Sequence, residues 1–364
     1  MTSIKTLLVF FFSVFGALTA SAAGSGLKAD ERVMFFPGLA VQQADGTFMV
    51  PIEAWVFEEE PRRVAAFALA SWMGIDLDAC TPTQKERFME RTRYFRTDSE
   101  RGKTLTVRLN KQTTFTLPDT NSSGRASGQL KVGHDAFHWY KGPDGFGRVD
   151  WTLQAPGHPS HGEKGSAQAI SAEGVSIVSD IDDTIKISEV RDRKALLRNT
   201  FIEPFRAVPG MAAWYKELAG NYWPSVVFHY LSAAPAQMYP ALSEFLREEG
   251  FSAGILHLRE STSWRTLYAN HEETVAHKKN ILIRLITGWP QRKFILIGDS
   301  GEKDPEIYAD IARAYPDRIL AIHIRDVTHE PRDAPRYQHT FSEVAPEIWY
   351  ILEPSKKREE TAPR

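Results

Sequence analysis

The chain has 364 residues, 42% of them hydrophobic and 25% charged, so it is long enough for two globular domains and has no long disordered tract. A formal net charge of −2 excludes a nucleic-acid partner held by bulk electrostatics. The single cysteine, Cys80, excludes an intrachain disulfide and a lipid attached just after a leader.

Residues 1–22 read as a secretory signal peptide. Lys5 gives a basic start, the apolar run from Leu7 to Leu18 is too short to span a bilayer, and Ala20-Ser21-Ala22 is a small-residue cleavage box. Cleavage there would leave a secreted or periplasmic protein, with an uncleaved anchor as the weaker alternative. From 27 to 154 the pattern is β-rich. Strands are expected at 31–36, 49–57, 104–109 and 113–117, broken by turn signals such as Asp45-Gly46 and Asn121-Ser122-Ser123-Gly124. This predicts an antiparallel, sandwich-like N-terminal domain. A charged helix is expected over 83–96, most simply as a solvated face, with membrane or partner contact as the lesser reading. Residues 155–171, rich in Gly, Pro, Ser and His, read as a linker. His158 and His161 lack further ligand-type neighbours at useful spacing and read as loop residues.

The stretch from Gly174 to Ile185 is an apolar strand ending in Asp180, Asp182 and Thr184, a DxDxT pattern. An EF-hand loop starting at Asp180 is excluded, because its sixth and twelfth positions hold Ile185 and Arg191 instead of Gly and Glu. Strand-end capping is the bland alternative. Downstream, strands and helices alternate: helix 210–219, strand 226–231, helix 236–249, strand 255–258, helix 276–287, strand 294–297, helix 305–314 and strand 319–324. Helix-length crossovers between strands predict a parallel sheet covered on both faces. His229, inside an apolar strand, reads as a satisfied core residue. The charged tail at 354–364 reads as disordered.

Several strand ends carry chemistry: Asp180, Asp182 and Thr184, then Ser232, then Lys278 opening a helix, then Asp299 and Asp304. Aspartates, hydroxyl, lysine and aspartates in that order resemble the haloacid dehalogenase superfamily. More narrowly, residues 179–190, Val208-Pro209-Gly210-Met211, Phe228-His229-Tyr230-Leu231-Ser232 and residues 298–308 look like the actin-patch phosphatidate phosphatase family and its bacterial relatives. A departure is visible at 232–239, where a polar residue and a Trp are expected before Gln237.

The resemblance implies an α/β, Rossmann-like phosphatase domain over 172–353, preceded by the β-rich sandwich-like domain. It also implies a Mg²⁺-dependent phosphatase acting on phosphatidate or a related phosphorylated lipid. Asp180 would be the nucleophile and Asp182 the acid and then the base. Mg²⁺ would be held by Asp180, the Asp182 backbone carbonyl and Asp299, with Asp304 in support. Thr184, Ser232 and Lys278 would contact the phosphoryl oxygens, with Lys279 as the alternative to Lys278. Arg259 is either a clamp on a second anionic group or a surface arginine. Two other readings compete. One is a periplasmic phosphomonoesterase for small soluble substrates. The other is a catalytically dead binding or adhesion protein, against which retention of the site residues argues. Peripheral membrane contact stays open.

Overall fold

The computed structural model describes residues 25–59, 63–111, 113–139, 147–222, 225–260 and 271–352. The leader reading of 1–22 and the tail reading of 354–364 lie outside the described residues.

The N-terminal strands are β1 (Glu31–Phe36), β2 (Gly38–Gln42), β3 (Phe48–Glu59), β4 (Thr97–Ser99), β5 (Thr106–Arg108), β6 (Thr114–Thr116), β7 (Arg125–Val132), β8 (His138–Trp139), β9 (Gly147–Leu153) and β10 (Lys164–Ala169). They form one ten-stranded sheet in the order β1-β3-β2-β10-β9-β5-β6, with β4 and β7 on β3 and β8 on β9. Its pairs among the described residues are antiparallel except β10 with β2. The sheet folds over a shared core: Val33 and Phe35 of β1 bury with Val107, Val149 and Trp151 from its other half. The Phe35 and Trp151 rings meet edge to face at 6.0 Å. Residues 155–171, expected as a linker, contain β10, which hydrogen-bonds along both edges.

Six further strands make an all-parallel sheet: β11 (Glu173–Asp180), β12 (Val226–Pro235), β13 (Gly254–Arg259), β14 (Gln291–Asp299), β15 (Ile319–Arg325) and β16 (Trp349–Leu352). Their order is β13-β12-β11-β14-β15-β16. Period two sorts the side chains onto two faces. Ile177, Phe228, Tyr230, Ile295 and Ile297 enter one core. Their neighbours Val178, Val227, Leu231, Phe294 and Leu296 enter the other. Helices α3 (Arg193–Phe201), α4 (Met211–Asn221) and α5 (Tyr239–Glu248) supply the first core, and α6 (His271–Gly288), α7 (Asp304–Ala314) and α8 (Pro335–Thr340) the second. The connections run outward in both directions from β11 and β14, so the order reverses between them. That reversal opens a crevice at their carboxyl ends.

The N-terminal half also reaches into this second unit. Helices α1 (Arg63–Met73) and α2 (Pro82–Arg91) leave the β-rich sheet, and Leu69, Met73, Phe88 and Phe95 bury in the first core beside Phe201 and Tyr215. Residues 66–95 thus pack with the second unit, while the buried core of the β-rich sheet is drawn from residues 33–169. Helix α2 starts on a capping box: Gln84 N donates to Thr81 Oγ1, Thr81 N donates to Gln84 Oε1, and Pro82 occupies the first turn.

Candidate active site

Strand β11 is buried along most of its length and ends at Asp180, whose side chain is 2% exposed. The chain then turns, and Asp183 takes a left-handed φ of 55°. The Asp183 carboxylate accepts from the backbone N–H of Ser188 and Glu189 at 2.8 Å and of Val190 at 2.7 Å. These bonds offset the backbone strain and close the loop. The turn sends the two motif carboxylates to different partners.

Asp180 Oδ1 pairs with Lys278 Nζ at 2.8 Å. The same ammonium meets Asp304 Oδ1 at 2.6 Å, also buried, and the partly exposed Glu302 Oε2 at 2.9 Å. Asp299, at the end of β14, accepts from Gly301 N at 2.7 Å and lies 3.5 Å from the Thr184 hydroxyl. Asp304 Oδ2 accepts from Asp299 N at 3.2 Å. Gly298 makes this possible, because a Cβ there would stand 2.4 Å from Asp304 Oδ2. Burial, opposed by Lys278 and reinforced by Asp304, Glu302 and Asp299, pushes the Asp180 carboxyl well above the ordinary carboxylate range. Burial and then the Asp304 charge do the same to Asp299. Lys278 stays charged: burial works against it, and Asp180 and Asp304 overcome that.

One ammonium thus serves Asp180, Asp304 and Glu302, with Asp299 beside them. Asp180, Asp299 and Asp304 each offer an oxygen, all within 4.8 Å of one another. Asp180 Oδ2 is buried with no hydrogen-bond partner. Hard oxygen donors, excess negative charge and an unpartnered oxygen fit a divalent cation.

Asp182 faces the other way. Its Oδ1 receives Lys186 Nζ at 2.7 Å and Ser188 Oγ at 2.6 Å, and its Oδ2 receives Ser232 Oγ at 3.2 Å. Burial works to raise its pKa, but the Lys186 charge and these hydrogen bonds hold it below the usual carboxylate range. The charge paired with Asp182 is thus a cation, Lys186. Both Asp182 oxygens accept hydrogen bonds within the site.

Of the two lysines, Lys278 is in the buried cluster and Lys279 pairs with Asp310 at the surface. Arg259 ends β13 and donates to the Ala233 carbonyl at 3.3 Å, next to Ser232. His229 is buried, with Nδ1 3.2 Å from His257 Nε2 and Nε2 3.3 Å from Ser176 Oγ. Lys186, Ser188, Asp183 and Glu302 were given no role from sequence. The available signal was their position inside or beside the two acidic motifs.

A cavity of about 160 Å³ opens on Asp180, Asp182 and Ser232. Its apolar wall is built from Leu196, Leu197, Phe201 and Phe205 together with Pro235, Met238 and Leu242.

The profile of the family described as "Phosphatidate phosphatase APP1, catalytic domain" matches residues 175–326. Residues 175–326 are thus similar to that family's catalytic domain. Phosphatidate phosphatase APP1 of Saccharomyces cerevisiae is 32% identical over 213 residues, 57% of this chain and 35% of that protein. A Schizosaccharomyces pombe protein described as uncharacterized is 32% identical over 183 residues, 49% of this chain and 29% of its own length. The matched regions span about a third of these relatives. Every carboxylate of the buried cluster lies within the APP1-type segment, as do Ser232 and Lys278.

Proposed function

We propose that the chain is a secreted, Mg²⁺-dependent phosphatase for phosphatidate or a related phosphorylated lipid, and that it works through an aspartyl-phosphate on Asp180. The observation that carries this reading is Asp180 Oδ2, a buried oxygen without a partner beside a cavity lined by carboxylates and by apolar side chains. Asp180, Asp299 and Asp304 would hold the cation, which when bound neutralises the acidic cluster and the phosphoryl group. The family supports the lipid substrate, and the apolar wall gives its non-phosphate part a surface. Secretion rests on the leader pattern of residues 1–22.

In the first step an Asp180 oxygen attacks phosphorus, the bond to the leaving oxygen breaks, and that oxygen takes a proton from Asp182. In the second step Asp182 accepts a proton from water, the water oxygen bonds to phosphorus, and the acyl-phosphate bond breaks to release phosphate and Asp180. Lys186 keeps Asp182 ionised in the resting site. An arriving phosphate dianion pushes that carboxyl back up, so substrate and proton enter together. Ser232 and Lys278 supply donors at the place where phosphoryl charge develops.

The test is phosphate release by the purified mature protein from dispersed phosphatidate and from soluble sugar phosphates, with Mg²⁺ and with EDTA. Release from phosphatidate that stops in EDTA and returns with Mg²⁺ is expected. Full activity in chelator would remove the metal from the account, and preference for sugar phosphates would remove the lipid.

A further inference from the structure

The apolar wall of the cavity is held from outside the APP1-type segment. Leu196, Leu197, Thr200 and Phe201 belong to α3, and Phe205 follows it, so this part of the wall is one helix and its C-terminal exit. A helix ends with carbonyls that have no partner within the helix. Here α2, more than a hundred residues earlier in sequence, provides the donors. Arg91 NH1 donates to the carbonyls of Thr200 and Glu203, each at 2.7 Å, and Arg87 NH1 donates to that of Ile202 at 2.7 Å. The Arg91 guanidinium also lies 3.6 Å from the centre of the Phe205 ring. Below it, fully buried Phe88 packs against Phe201, with ring centres 6.4 Å apart. Lys186, which holds Asp182, sits 5.0 Å from the same Phe205 ring. An unbroken set of contacts therefore runs from α2 through the wall to the proposed acid.

We propose that α2 is a specificity element of the site: Arg91 and Arg87 fix the wall from Leu196 to Phe205 against which the apolar part of the substrate lies. This rests on the phosphatase reading above and adds to it, because α2 touches neither the phosphate nor the nucleophile. Arg91 and Arg87 are positioning residues. Their loss loosens the wall and leaves the carboxylates and Lys278 in place. The expected signature is a change in preference for apolar tails, with phosphate recognition intact.

Binding of two phosphonates, which cannot be hydrolysed, reads this directly. Decylphosphonate and methylphosphonate are titrated calorimetrically into the full mature chain with Mg²⁺. The parent protein is expected to bind the decyl compound at least about tenfold more tightly, as several buried methylenes imply. Arg91→Met, which keeps the apolar stem, should shrink that ratio about tenfold and leave methylphosphonate affinity within about twofold. Arg87→Met removes a single carbonyl bond, should reduce the ratio less, and serves if Arg91→Met does not fold. Equal weakening of both phosphonates, an unchanged ratio in the folded variants, or no tail preference in the parent protein would each overturn the proposal. Since no turnover is needed, failure to release phosphate from any ester would sink the phosphatase reading and leave this ratio to be judged by itself.

Discussion

Arg292 and Lys278 are buried at opposite edges of the parallel sheet, and their surroundings differ. At the amino edge, fully buried Arg292 donates to the carbonyls of Ser171 at 2.8 Å, Glu173 at 2.6 Å, Val175 at 2.6 Å and Ser225 at 2.7 Å, and to Ser176 Oγ at 3.0 Å. These acceptors are all neutral, and burial draws its pKa down to about 10, so it remains charged at neutral pH. Gly174, at φ 116°, lets this cluster close, since a Cβ there would stand 2.3 Å from the Ser225 carbonyl. At the carboxyl edge, Lys278 faces a surplus of carboxylates and leaves an Asp180 oxygen without a partner. A buried charge that is satisfied holds strands together. A buried charge set that is unbalanced is arranged for something that arrives.

Substitutions at the two edges should therefore separate activity from stability. Asp180→Asn removes the attacking charge and relieves carboxylate crowding, so turnover should fall by at least about 10⁴-fold with the melting temperature unchanged or raised. Steady-state kinetics and thermal unfolding on the same sample check both halves. If the variant unfolds instead, Asp180 is structural and the contrast collapses.

Arg292→Met should do the reverse. Stranding the carbonyls of Ser171, Glu173, Val175 and Ser225 should reduce stability by about 3 to 5 kcal/mol, while the folded fraction keeps its specific activity. Urea titration with activity measured at each point reads this. A stable but inactive variant would mean that the amino edge also acts on the chemistry.

A smaller effect belongs to the histidine pair between β12 and β13. Burial depresses the His257 pKa to about 3 and holds His229 well below its ordinary range. A depressed histidine stabilises fully above the unfolded-state pKa near 6.5 and loses that contribution as pH falls toward the folded value. Between pH 7 and pH 5 His257 should account for roughly 2 kcal/mol of lost stability. His257→Gln should flatten that part of the profile. A slope unchanged by the substitution would assign acid sensitivity to other groups.

Much of the carboxyl edge was legible in the sequence because apolar runs such as Val175–Val178 and Phe294–Ile297 mark buried strands, and each run ends at a residue type suited to phosphate or metal chemistry. Helix α3 was not legible. Its sequence Arg-Lys-Ala-Leu-Leu-Arg-Asn-Thr-Phe has a weak apolar face, and its C-terminus is completed by Arg87 and Arg91 from a distant helix. Likewise α2 reads as a solvated charged helix because sequence spacing cannot tell that its arginines point at another helix's carbonyls. The parallel pairing of β10 with β2, residues 167–169 against 38–40, is a long-range choice that local composition at 155–171 conceals. Lys186 escaped notice for a related reason: only the turn at Asp183 brings it onto Asp182.

The central claim is that an Asp180 oxygen attacks phosphorus and that Asp182 handles the protons. It is tested most directly by locating trapped phosphate. Asp182→Asn keeps the nucleophile but loses the group that activates water, a step worth about 10²- to 10⁴-fold. Given an activated aryl phosphate, whose departure needs no proton, the variant should accumulate phosphate on the peptide containing Asp180, as read by mass spectrometry after acid quench. Asp180→Asn treated alike should carry none. Phosphate on neither protein, with both turning over the aryl ester at the parent rate, would contradict the account and favour direct attack by water.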